Sequence, residues 1–457
     1  MHRFDVFVVG GGGTGSEVAF RLAERGLRVA IAERDRLGGE CNNYGCVPTK
    51  VMLRSAKIAA LARDAGRFGV RVPSVAVDLQ AVQRRARDVI DAQSGEGAAP
   101  FERAGIRVFL QEARLIGPHR IDLADGTPIE ADRIVLTTGT EATVPPIDGL
   151  DVGPFWTNKE AIWRPTTPPA SLAVIGAGAI GIEFAQIYAR FGSRVTVLEA
   201  LPHILPAEDD DAAAALAPAL EEDGIALRAG ASIERAHHAV DGWQVVIAGG
   251  ETLRADELLV ATGRRPVFDG HDLAAAGVQL DDRGRPILSE TLRTTGADIW
   301  AAGDATGELL FTHVGNYEAE IVVDDVLGRP RARDYRVVPK VTFCDPEVAS
   351  VGLSERQAHE EGLDVRTSVS SLADNERAHI DGSTHGLVKL VADARSGELL
   401  GGHVVGEGAG AMIHEIVAIM AERATPAMTA AAIHAYPTLS GSVKEALKGL
   451  SAGPTYH

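Results

Sequence analysis

The chain has 457 residues, 45% of them apolar, and a formal charge of −18 at pH 7. Its length allows about three domains with sizeable cores, and its acidity disfavours nucleic acid or an anionic membrane surface as a partner, since both require a basic footprint. Three cysteines, Cys41, Cys46 and Cys344, exclude a disulfide scaffold and a four-cysteine zinc site; with no signal-peptide blocks and no apolar run near about 20 residues, a cytoplasmic protein without a resident metal is expected.

The first element is D-V-F-V-V-G-G-G-G-T-G-S-E-V-A-F-R-L-A-E-R-G-L-R-V-A-I-A-E, Asp5 to Glu33, which predicts a buried strand, a glycine turn, a helix and a second strand. Gly10, Gly12 and Gly15 form G-x-G-x-x-G. Without side chains they permit a tight turn, close approach of backbone N–H groups to a pyrophosphate, and close packing of helix on strand. Glu33 ends the second strand, where a carboxylate accepts hydrogen bonds from ribose hydroxyls. The glycine pattern alone is weak, but strand, turn, helix, strand and terminal acid together point to a dinucleotide site.

Next comes G-G-E-C-N-N-Y-G-C-V-P-T-K, Gly38 to Lys50, with Cys41 and Cys46 five positions apart. Taken alone, such a pair is a redox disulfide, half of a metal site, or two small buried side chains. A helix is predicted over Val47 to Ala65 and a second helical stretch over Asp78 to Glu102. Arg107 to Leu115 and Arg120 to Asp122 read as strands, and I-V-L-T-T-G-T, Ile134 to Thr140, closes the unit at Thr138 and Gly139.

Beyond Pro-rich runs at Pro145 and Arg164 the unit recurs as L-A-V-I-G-A-G-A-I-G-I-E-F-A-Q-I-Y-A-R-F-G-S-R-V-T-V-L-E, Leu172 to Glu199, with Gly176, Gly178 and Gly181. The interval from first glycine to terminal acid is 23 residues in both copies, Gly10 to Glu33 and Gly176 to Glu199, so this is an internal repeat. Two dinucleotides are implied, and with a cysteine pair between the copies they suggest a flavin on one, a nicotinamide on the other, and electrons passing between them. L-L-V-A-T-G-R-R-P, Leu258 to Pro266, closes the second copy at Gly263, and I-W-A-A-G-D, Ile299 to Asp304, ends another strand on a carboxylate able to cap a following helix. From Val338 short strands at Val341, His385 and Leu399 and an amphipathic helix, Ala409 to Arg423, read as an α+β domain suited to association.

These residues make the chain resemble the flavoprotein disulfide reductases, in the branch of dihydrolipoamide dehydrogenase, glutathione reductase and mercuric reductase, over essentially its full length. The motifs are the glycine turn at Gly10, C-N-N-Y-G-C-V-P-T-K at Cys41, T-T-G at Thr137, G-A-G-A-I-G-I-E at Gly176, A-T-G-R-R-P at Ala261, A-A-G-D at Ala301 and V-T-F-C-D-P-E-V-A-S-V-G-L at Val341. The resemblance implies an α/β protein of two Rossmann-like dinucleotide-binding domains plus a C-terminal α+β dimerisation domain. Its expected limits are 1–147 and 267–336 for FAD, 148–266 for NAD(P)H, and 337–457 for the interface of a homodimer. It further implies that Cys46 faces the flavin, that Cys41 exchanges with substrate, that Lys50 lies near the flavin and pairs with Glu183, and that Asp304 binds the flavin's ribityl chain. Only thiolates attack disulfides, and a thiol at a helix start is one whose anion is stabilised. Lys50 sits one turn after Cys46 on the same helical face. Glu199 favours NAD(H) over NADP(H), because a carboxylate repels a 2′-phosphate and Ala200, Leu201 and Pro202 supply no arginine; His203 is a weak candidate for such a contact. Cys344 reads as a buried, inert thiol.

The C-terminal segment departs from the family. Relatives carry H-x-H-P-T-x-S-E, whose histidine before the proline and glutamate five residues later form an acid–base dyad that reaches the partner subunit's cysteines. Here the segment is I-H-A-Y-P-T-L-S-G, Ile433 to Gly441, with Tyr436 for the histidine and Gly441 for the glutamate. A tyrosine of pKa about 10 is a poorer acid than a departing thiolate's conjugate of about 8.5 and no base near neutrality. Poor activity with lipoamide or glutathione disulfide is expected. His434, whose side chain points the same way as Tyr436 in an extended loop, is one substitute acid, and Glu445 on a helix over Ser442 to Leu450 is another. With no cysteine pair in the end S-A-G-P-T-Y-H and no N-terminal metal-binding domain, a specialised mercuric reductase is not expected. The acceptors left are a soft metal ion, an activated disulfide or persulfide, or a quinone. A dihydrolipoamide dehydrogenase with a substituted acid–base residue, and a flavin-bearing redox sensor without turnover, stay open.

Overall fold

The computed structural model describes residues 2–451; the S-A-G-P-T-Y-H end lies, from Ala452 on, outside them. Within those residues the chain is mixed α/β and divides into two compact units, one built from the chain up to Val51, Ala81–Thr143 and Gly263–Asp334, the other from Met52–Gln80, Val144–Thr262 and the chain from Tyr335.

In the first unit the strands Arg107–Phe109, Val29–Ala32, His2–Val9 and Pro128–Leu136 lie side by side and parallel in that order, and Ile299–Ala301 runs parallel to the last of them. The run Val6–Val9 is uninterrupted apolar because both faces of a parallel strand are covered. Alternation then divides it: Val6 and Val8 join Val18, Leu22, Trp300 and Ile321, with the helices Gly13–Ala23 and Thr312–Val326 on that face, whereas Phe7 and Val9 join Phe109, Ile134 and Leu136 on the other. Two sequence expectations need correction. The strand expected over Arg107 to Leu115 is two, Arg107–Phe109 and Ala113–Gly117, because the first ends the parallel sheet and the second opens an antiparallel hairpin. The helical stretch over Asp78 to Glu102 breaks into Leu79–Ser94 and Ala99–Arg103 at Gly95 and Gly97, the latter left-handed at φ 56°.

The second unit repeats the plan: Ala226–Arg228, Arg194–Leu198, Ser171–Ile175 and Glu257–Val260 form a parallel sheet in the same relative order, beside a three-stranded antiparallel sheet. The same unit contains the five-stranded antiparallel sheet of Pro339–Thr342, Glu347–Gly352, Leu399–Gly406, Leu387–Asp393 and Val365–Ser371, whose inner residues Val351, Leu390 and Val404 pack on the helices Ala409–Ala421 and Gly441–Ser451.

A buried lysine, paired with one buried and two exposed carboxylates, ties this sheet to the helix Asp210–Glu222. Lys389, 3% exposed, places its Nζ 3.0 Å from Asp209, 2.7 Å from Asp211 and 2.7 Å from Glu355. Burial alone would lower the ammonium's pKa, but the three carboxylates override it and raise it. Lys389→Met would keep the volume and strand Asp209, itself 2% exposed, without its cation. A loss of about 3–5 kcal/mol in equilibrium denaturation is expected; a loss below about 1 kcal/mol would mean that the cluster behaves as a solvated surface pair.

Candidate functional site

The two glycine turns match in detail. Gly12 and Gly178 precede their helices with φ, ψ of −71°, −176° and −71°, −178°. A Cβ on Gly15 would collide with the carbonyl of Gly10, and one on Gly181 with that of Gly176, so close packing of helix on strand requires glycine at both. Glu33 accepts hydrogen bonds from the N–H of Gly11 and of Asp35, each at 2.8 Å; Glu199 accepts from Ala177 at 2.8 Å and Leu201 at 2.9 Å. Each terminal acid therefore braces its own glycine turn, and each carboxylate keeps lone pairs for a further donor. At the end of the strand Pro128–Leu136, Thr138 has a buried hydroxyl that no group among the described residues satisfies, next to Gly139 at φ 72°.

The cysteines stand on two consecutive helices, Cys41 within Gly39–Asn43 and Cys46 as the first residue of Cys46–Asp64. Cys41 is half-buried, and its thiol is pushed far above the ordinary thiol range, first by the hydrogen bond it makes to Cys46, then by burial and by the charge on Cys46. Of the two thiols, Cys41 is the one whose anion its neighbour and burial disfavour. Cys46 is placed differently. Its sulfur opens one helix and lies 3.8 Å from the hydroxyl of Thr312, the first residue of the helix Thr312–Val326, so the N–H groups of two helix starts favour an anion there. Thr312 was not among the residues expected from the sequence, although it follows A-A-G-D by only a short turn.

Asp304 does not cap a helix; its carboxylate accepts from the Thr140 hydroxyl at 3.1 Å. Burial raises its pKa, and the Arg264 guanidinium opposes that rise. Arg264 donates to the Thr140 hydroxyl and carbonyl at 2.8 and 2.9 Å and lies 3.2 Å from Glu40, the residue before Cys41. A polar chain therefore runs from Asp304 through Thr140 and Arg264 to Glu40. Arg264 stands in A-T-G-R-R-P, a motif in which the sequence pointed to Gly263 alone; Gly263 itself is left-handed at φ 130°.

The remaining candidates are distributed as follows. Lys50 is one turn into the helix that Cys46 opens, in the first unit. Glu183 is buried in the second unit on the helix Ala179–Phe191 and accepts from the N–H of Phe343 at 2.9 Å. Cys344 is buried, with its pKa raised by burial, and donates to the carbonyl of Pro346 at 3.1 Å. His434 and Tyr436 do not share an environment: Tyr436 is 79% exposed, whereas the His434 side chain is 14% exposed and pairs with Glu415 through Nε2 at 2.8 Å. Glu415, on the helix Ala409–Ala421, was not foreseen, because 19 residues of chain separate the two and no local spacing links them. Glu445 pairs with Lys448 on the surface of its own helix. His203 is turned to Asp210 and Arg356, at 3.3 and 3.4 Å.

Comparison with known proteins accords with this geometry. The family model described as pyridine nucleotide-disulphide oxidoreductase matches residues 4–319, and the model of that family's dimerisation domain matches residues 338–447. The chain is 36% identical over 453 residues to a dihydrolipoyl dehydrogenase of Chlorobaculum tepidum, covering 97% of this chain and 96% of that protein. It is 34% identical over 418 residues to a mercuric reductase of Bacillus cereus, covering 90% of this chain and 66% of that one. Among solved structures, the Cu(II) complex of the HOCl-induced flavoprotein disulfide reductase RclA from Escherichia coli superposes with a TM-score of 0.88 at 29% identity, covering 98% of this chain and 99% of that one. The chain belongs to the pyridine nucleotide-disulphide oxidoreductase family, flavoprotein oxidoreductases that use FAD and NAD(P)H.

Proposed function

We propose that this protein is a cytoplasmic homodimeric oxidoreductase that carries electrons from NADH to the Cys41–Cys46 disulfide and on to an acceptor that needs no His–Glu dyad. The acceptor classes are a soft metal ion, an activated disulfide or persulfide, and a quinone. Hydride from NADH and one proton from solvent reduce the disulfide to two thiols; the dithiol yields two electrons and two protons when the disulfide re-forms. FAD, when bound, supplies the step between nicotinamide and sulfur.

The residues fit both dinucleotides. The glycine turns leave backbone N–H groups approachable, Glu33 and Glu199 offer carboxylate lone pairs at the strand ends, and the orphaned Thr138 hydroxyl beside Gly139 awaits a partner from outside the protein. On this reading the first unit takes FAD, with Asp304 on its ribityl chain, and the 148–266 stretch takes NADH. Lys50 and Glu183 would pair near the flavin, as in the family. Cys41 is the thiol that exchanges with substrate, and Cys46 is the one that faces FAD.

The observation that carries the acceptor assignment is the state of the C-terminal segment. Tyr436, exposed on its own chain, is a phenol where relatives carry the histidine, and His434 is paired through Nε2 with Glu415 at 2.8 Å, with Nδ1 3.3 Å from the carbonyl of Ala432. Tyr436 therefore offers no imidazole proton to a leaving thiolate at the position where relatives supply one. The mercuric reductase relative favours a soft metal ion among the acceptors, and the Cu(II) complex of RclA adds a borderline transition-metal ion to that class. Among the described residues no group of three or more His, Cys, Asp or Glu is arranged to hold a metal ion, so such an ion would meet the two cysteine sulfurs as substrate. The dihydrolipoyl dehydrogenase relatives favour a second reading, dihydrolipoamide oxidation with a substituted base.

Steady-state NADH oxidation with mercuric ion, cupric ion, a benzoquinone and lipoamide separates them. At least one of the first three should exceed lipoamide by about 10²-fold, the low end of what a missing acid–base group removes from disulfide chemistry. Lipoamide as the fastest acceptor would overturn the assignment in favour of the second reading.

A further inference from the structure

The loop after Glu199 carries a cationic group that local sequence could not reveal. Ala177, the second residue of the glycine turn, donates its N–H to the Glu199 carboxylate and accepts at its carbonyl from the N–H of Leu205, both at 2.8 Å. The loop is thereby folded back onto the turn, with Leu205 held in a left-handed conformation at φ 45°. His203 and Pro206, on either side of Leu205, thus belong to the loop that is bonded to the same glycine turn that Glu199 braces.

Arg356 reaches this same loop from the helix Glu355–Glu360, about 150 residues away in sequence. Its guanidinium donates to the carbonyl of Pro206 at 3.3 Å, lies 3.4 Å from His203 Nε2, and is paired with the carboxylate of Asp210, which is also 3.3 Å from His203. One carboxylate thus engages both the guanidinium and the imidazole. In dinucleotide folds of this class an arginine near the terminal acid is what accommodates a 2′-phosphate. Here an arginine is present, but its charge is taken.

We propose that Arg356 with His203 is a specificity-determining group for the nicotinamide dinucleotide, and that Asp210 keeps it from a 2′-phosphate, so that NADH preference rests on Asp210 as well as on Glu199. The inference rests on assigning the dinucleotide to this unit. Arg356 is half-exposed, which limits the effect to that of a screened pair.

Calorimetric binding of 5′-AMP and 2′,5′-ADP to the FAD-loaded dimer tests this without reference to turnover. Asp210→Asn should shift the affinity ratio toward 2′,5′-ADP by about five-fold, and Asp210→Asn with Arg356→Gln should return it to the starting value. Arg356→Gln alone, which leaves Asp210 and its neighbours in place, should weaken 2′,5′-ADP and spare 5′-AMP. If 5′-AMP binds and none of these variants moves the ratio, or if the double variant keeps the gain, the inference is wrong and the dinucleotide assignment stands. If wild-type protein binds neither nucleotide, the dinucleotide assignment fails and takes the inference with it.

Discussion

Tyr436→His combined with Gly441→Glu should raise turnover of lipoamide or glutathione disulfide by about 10²- to 10⁴-fold, the usual worth of positioned acid–base help. Breaking a disulfide expels a thiolate whose conjugate acid has a pKa of about 8.5; histidine can protonate it at neutral pH, and tyrosine, at about 10, is the weaker acid by about 2 kcal/mol. The backbone accepts both changes. Tyr436 is exposed, so an imidazole displaces no packed neighbour. Gly441 opens the helix Gly441–Ser451 without a positive φ, and a Cβ there would come no closer than 3.7 Å to another atom, Nδ2 of Asn375. A glutamate in a first helical turn is also favoured by the helix dipole. The gain should appear in kcat with disulfides and be absent with mercuric ion or quinone. Each single variant should recover less than the pair, since a histidine without its carboxylate is not oriented. An unchanged disulfide rate in the double variant would mean that the substrate pocket differs elsewhere and that Tyr436 is not what limits disulfide turnover.

What could be read in advance follows the range of the interactions. The glycine turns, their strands and the acids Glu33 and Glu199 are specified within about 30 residues of chain, where periodicity and turn chemistry act directly; even the bracing bonds to Gly11 and Ala177 fall at the same interval of 22 residues. The cysteine pair was legible for the same reason. The electrostatics around it were not. Thr312 reaches Cys46 across 266 residues, Arg264 reaches Thr140 across 124, and Arg356 reaches His203 across 153. Sequence spacing carries no signal for such pairs; they exist because the sheet brings distant strand ends together. His434 shows the converse error. Alternation along an extended loop put it beside Tyr436, but its ring turns inward to Glu415, a carboxylate on another helix, because a histidine gains more from a charged partner than from solvent.

Removing either cysteine should abolish NADH-dependent reduction of disulfide acceptors, yet the two variants should differ in what they leave behind. Cys41→Ser keeps the sulfur that sits at two helix starts beside Thr312; Cys46→Ser removes it and leaves Cys41, a half-buried thiol whose anion burial still disfavours. The distinction is visible in an anaerobic titration of the FAD-loaded protein with NADH. Wild-type protein should take up two electrons and develop the long-wavelength absorbance of a thiolate in contact with oxidised flavin; Cys41→Ser should show that absorbance before any reductant is added, and Cys46→Ser should never show it. Absence of the band in wild-type protein together with slow flavin reduction, or its persistence in Cys46→Ser, would contradict the assignment of Cys46 as the charged, flavin-facing member of a redox pair.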